Sequence, residues 1–246
     1  MEKLLFKFEI KKLLSQMSTK VIALILIIFP VIIVFGIISP SEQFSITMDD
    51  FQSASDFSNA ILGFLNSLGF YYIILVVLAS SILSREIESK YLYFSLSVVP
   101  NGIKLFFYKA LSVSIVFTSM IALSSIAGYV AYSLLYLGEF SISLQIIGIL
   151  SWGVLISFLI SMIYMMILVI CNILTDGSIF ASLTVAISTV ILLIIAGAIN
   201  GVMFYLPAWV LDFVSTRNNI LLLILYGLIL IVTSYMMYLC AKKLRV

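Results

Sequence analysis

Groups that transfer protons, attack carbonyls or bind metal are scarce in this chain. It has no histidine among 246 residues and only two cysteines. Cys171 and Cys240 fall in or at the ends of apolar runs, where they read as small hydrophobes rather than as an external disulfide or a metal cluster. A serine nucleophile needs a neighbouring base, so Ser112, Ser114, Thr118, Ser124 and Ser125 read as helix-packing or pathway residues, with packing favoured. The sequence has no G-x-x-x-x-G-K-[ST] phosphate loop. Catalysis by this chain is therefore not expected, and neither is a cofactor or metal site of its own.

Ion-coupled carriers keep an acid or base near the bilayer centre, because such a charge is costly. None is evident here, and Asn66 and Asn172 lie close enough to the ends of apolar runs to be interfacial. Gly197-Ala-Ile-Asn-Gly201 matches a G-x-x-x-G helix-packing pattern, and equally suits glycines easing a turn out of the membrane.

The elements that position these residues follow from composition. The chain is 63% hydrophobic and 10% charged, which points to an all-α integral membrane protein. A helix needs about 20 apolar residues to cross a hydrocarbon core. Six runs qualify: about 21–38, 60–83, 110–136, 144–174, 178–199 and 220–240. Pro30 lies within the first, where a neighbouring helix or a kink can absorb its lost backbone bond. Residues 1–19 place Lys3, Lys7 and Lys11 on one face, with Phe6, Ile10, Leu13, Leu14 and Met17 on another, and so predict an interfacial amphipathic helix. A cleaved signal peptide is disfavoured by the length of the following apolar run and by the lack of a small-x-small site. Residues 200–218, with Asn200, Gly201, Pro207 and Asp212, are too broken to span and read as an external re-entrant or hairpin segment.

Lysines and arginines flanking spans stay on the cytoplasmic side. With six spans, twelve of the thirteen fall on one side, leaving Arg217 outside. Both termini are then cytoplasmic, in a multi-pass cell-membrane protein of one transmembrane domain, 1–246. The 84–109 loop is cytoplasmic too. Within it Glu86 and Lys90 stand at i,i+4 spacing, Leu92, Leu96 and Val99 form a stripe, and Pro100-Asn101-Gly102 ends the helix so predicted.

That segment resembles the membrane subunits of the ABC-2 family of ATP-binding-cassette transporters, whose loop has an E-x-E-x-G-T-like start, a leucine-rich helix, a proline and a basic residue before the next span. Glu86, Glu88, Leu92, Leu96, Pro100, Lys104 and Lys109 match; Lys90 and Tyr91 depart from Gly-Thr, and about one extra residue precedes Pro100. The order of elements agrees along the chain, including Leu206-Pro207 with Trp209 in the external segment. The resemblance implies a type V exporter-like architecture and a coupling helix in the 84–109 loop. Arg85, Glu86, Glu88, Lys90, Leu92, Leu96, Pro100 and Lys104 would there meet a separate ATPase subunit. It further implies two copies of this chain with two ATPases, ATP and Mg held by those partners, and an amphipathic substrate, a peptide favoured over a drug or lipid-linked molecule. The competing classes are an ion-coupled secondary transporter and a non-transporting scaffold or sensor. No nucleic-acid partner is expected.

Overall fold

A computed structural model describes residues 2–38, 53–67, 69–90, 102–142, 144–200 and 219–243. All the regular structure among them is helical: α1 (Glu2–Ser15), α2 (Met17–Ile38), α3 (Ala54–Ser67), α4 (Phe70–Glu88), α5 (Gly102–Leu137), α6 (Leu144–Leu174), α7 (Ile179–Asn200) and α8 (Asn219–Lys243). Four are long and apolar enough to cross a membrane by length and composition: α2, α4, α5 and, from Ile146, α6.

The helix at the centre is α5, against which α1, α2, α3 and α6 all pack. Its buried residues alternate between apolar side chains such as Leu105, Phe106, Phe117 and Ile121 and small polar ones such as Ser112, Ser124 and Ser125. Small residues let helix backbones approach where no hydrophobic difference separates protein from lipid. Gly128 shows the consequence: a methyl group there would stand 3.3 Å from Pro30 Cβ and 3.8 Å from Ser58 Cα.

Pro30 is buried inside α2 without ending it. Its ring removes the N–H that would serve the carbonyl of Leu26, four residues earlier. Ser124 of α5 supplies the missing donor, its Oγ lying 2.7 Å from Leu26 O. The neighbouring helix thus completes the α2 backbone.

The second apolar run is not one helix. It divides at Gly69, whose φ of +77° is left-handed, into the 14-residue α3 and the spanning α4. The expected span of 60–83 is corrected to Phe70–Glu88. A side chain at Gly69 would also overlap Val190 of α7, so close packing as well as φ selects glycine there. Residues 80–84 of α4 and 132–137 of α5 form wider π-type turns. The expectation for 200–218 falls mostly on residues outside those described, including Leu206, Pro207 and Trp209.

The N-terminal helix is shorter than expected and does more than lie on a surface. Leu13 and Glu9 are buried against the bundle, whereas Phe8, Leu14 and Met17 are exposed.

A candidate coupling site built on buried charge

Glu9 stands one turn from Leu5 and from Leu13, so helical spacing carries its carboxylate inward on the apolar face of α1. Lys109 sits two turns into α5, where apolar neighbours on both sides carry it to the core. Glu86 lies in the last turn of α4. The three meet: Lys109 Nζ is 2.6 Å from Glu9 Oε1 and 2.8 Å from Glu86 Oε2. Lys109 is 1% exposed, Glu9 3% and Glu86 6%, so the meeting is inside the protein.

An ammonium has three protons to donate. The third from Lys109 goes to the carbonyl of Ile82, at 3.2 Å, within the π-type turn. Lys12 of α1 pairs with the other oxygen of Glu86. Two carboxylates and two ammonium groups therefore balance, which a buried cluster requires, since an unpaired charge removed from water costs several kcal/mol. Glu9 Oε2 accepts no hydrogen bond.

Beside this cluster a second polar knot joins α4 to two more helices, α6 and α7. Ser84 Oγ donates to Asn172 Oδ1 at 2.6 Å, and Asn172 Nδ2 donates to Leu168 O at 2.8 Å and Ser182 Oγ at 2.9 Å. Asn172 is fully buried, two residues from the end of α6. The turn after α6 presses on α4: a methyl group at Gly177 would fall 2.7 Å from Ser84 O and 2.9 Å from Glu88 N. Its φ of +84° also requires glycine. At one end of the bundle, then, α1, α4, α5, α6 and α7 are tied together by charge and amide.

The described residues on either side of the segment between Glu88 and Gly102 lie beside this knot. Arg85, Glu88, Lys90 and Lys104 are exposed there. Glu86 is not, and its expected i,i+4 pairing with Lys90 is corrected. The helix stops at Glu88, Lys90 adopts a left-handed φ of 58°, and Glu86 pairs inward with Lys109 and Lys12. Leu92, Leu96 and Pro100 lie outside the described residues.

Sequence reasoning took Lys109 as a loop-end cation and overlooked Glu9. The signal was present in each case: an acid on the apolar face of an amphipathic helix, and a base followed directly by a long apolar run. Such groups need counter-charges, and each is the other's. No protein-family model, curated protein or solved structure matches this chain.

Proposed function

We propose that this chain is the permease subunit of an ATP-driven exporter of the ABC-2 kind, with six spans and both termini in the cytoplasm. Two copies would form the membrane pathway, and two ATPase subunits holding ATP and Mg would supply the work. Helix lengths favour six spans: α7 has 22 residues and α8 has 25, about 33 and 37 Å of rise. The grouping of Lys12, Lys109 and the Gly177 turn with the end of α4 agrees with a cytoplasmic end that retains the lysines.

The observation that carries the reading is the anchoring of the 89–101 loop. A loop that transmits force must be rigidly held where it enters and leaves the bundle, and Glu86 and Lys109 hold those two sides to each other and to α1. Closure of the ATPase pair would push on that loop, and the knot would pass the displacement to α1, α4 and α5 together. In this reading Glu86 is an internal anchor, while Arg85, Glu88, Lys90, Lys104 and the Leu92 and Leu96 stripe form the contact. An amphipathic peptide is the favoured cargo, suited to walls of Phe, Tyr, Met, Ser and Thr.

Purification of the chain from its native membrane tests the assignment. An ATP-hydrolysing subunit at equal stoichiometry is the expected result. A chain that drives solute movement from an ion gradient alone, without ATP, would instead identify a secondary transporter.

A further inference from the structure

At the end of the bundle away from Lys109, a cavity of about 410 Å³ is lined by Ser53, Ser55, Tyr129, Ser133, Glu139 and Ser141, among others. Polar groups continue inward from it. One turn below Ser55 on α3 is Asn59; one turn below Tyr129 on α5 is Ser125, whose hydroxyl pairs with Ser58 at 2.9 Å. Asn59 is 2% exposed, and neither its amide nitrogen nor its carbonyl oxygen has a hydrogen-bond partner. Farther along α5, Thr118 Oγ1 and Ser114 Oγ are likewise buried and unpartnered. At about 100° per residue, Ser133, Tyr129, Ser125, Thr118 and Ser114 fall within one arc of about 100°. They share one side of α5, and Ser125 on that side meets Ser58 of α3.

We infer that the seam between α3, α5 and α6 is a water-accessible shaft that runs from the Glu139 end to Asn59 and on to Thr118. Unpartnered amide and hydroxyl groups are costly in a low-dielectric interior, and water satisfies each of them. The ligand class is water and small neutral solutes that both donate and accept hydrogen bonds, as the Asn59 amide does. The arrangement described is shut at Asn59, and separation of α3 from α6 opens it. The closure is tight at Gly153 of α6, where a methyl group would stand 2.9 Å from Asn59 Oδ1 and 3.8 Å from Leu62. The inference does not depend on an ATPase partner.

Cysteine accessibility tests it. In full-length protein with Cys171→Ala and Cys240→Ala, reconstituted in sealed vesicles, single variants Asn59→Cys, Thr118→Cys and Ile61→Cys are exposed to a membrane-impermeant, charged methanethiosulfonate. Glu139→Cys, at an exposed position, marks the side from which reagent arrives. Ile61 is 1% exposed on another face of α3 and serves as the sealed reference. Thiols react as thiolates in water and are inert when buried among apolar groups, so a cysteine at 59 or 118 should be modified at least about tenfold faster than one at 61. Should Asn59→Cys fail to fold, Thr118→Cys carries the comparison alone. Equal rates at 59, 118 and 61, with the cysteine at 139 reacting, would overturn the shaft.

Discussion

Lys109 Nζ lies 2.8 Å from Glu86 Oε2, so the helices that flank the segment 89–101 are joined by a buried ion pair. Because Glu9 shares the same ammonium, removal of Lys109 leaves the Glu9 carboxylate unpaired in the interior and Glu86 with Lys12 alone. Lys109→Met should therefore destabilise the protein by about 3–5 kcal/mol. Lys12→Ala, which removes a partly exposed lysine, should cost under about 1 kcal/mol. Thermal unfolding of the two variants in the same detergent checks the contrast.

Ser124 and Pro30 offer a sharper test, since each compensates for the other. Ser124→Ala leaves the Leu26 carbonyl unserved and should cost about 1–2 kcal/mol. Pro30→Ala restores the N–H that the carbonyl lacked. In that background Ser124→Ala should cost distinctly less, a coupling of about 0.5–1.5 kcal/mol in a double-mutant cycle. Additive effects would mean that the hydroxyl does not complete the helix.

Gly177 and Gly148 should respond in opposite ways to the same change. Gly177→Ala meets backbone at 2.7 Å with φ +84° and should destabilise by about 2 kcal/mol or more. Gly148→Ala meets nothing within 4 Å in a helix and should be neutral or stabilising by up to about 1 kcal/mol. Melting temperatures decide it.

The Asn172 knot predicts unequal losses from its members. Ser84→Ala removes one bond and should cost about 0.6 kcal/mol, a usual value between membrane helices. Asn172→Leu removes three and leaves Ser84 without its acceptor, so its loss should be at least about twice as large. Unfolding in a mild denaturing detergent series measures both.

What the residues made legible follows from what periodicity reports. The fourth apolar run, 144–174, coincides with α6, because a long uninterrupted apolar segment bounded by turn residues leaves little choice. Pro30 inside α2 was also readable as a lost backbone bond needing outside help, although not the identity of Ser124. The break at Gly69 was not, since a lone glycine in an apolar run is common, and its left-handed φ under the side chain of Val190 appears only in the folded chain. The charge cluster was half legible. Glu86 and Lys109 were visible as charges, but local i,i+4 spacing suggested Lys90 as the partner of Glu86, and the tertiary pairing with Lys109, 23 residues away, prevailed.

The most direct measurement of the central claim is site-specific photo-crosslinking in native membranes, with a photoreactive amino acid at Leu96 and, as the opposite-end control, at Glu139. The account predicts an ATP-hydrolysing subunit crosslinked from position 96 and none from 139. Crosslinking of that subunit from 139 and not from 96, or of no nucleotide-hydrolysing protein from either position, would contradict it.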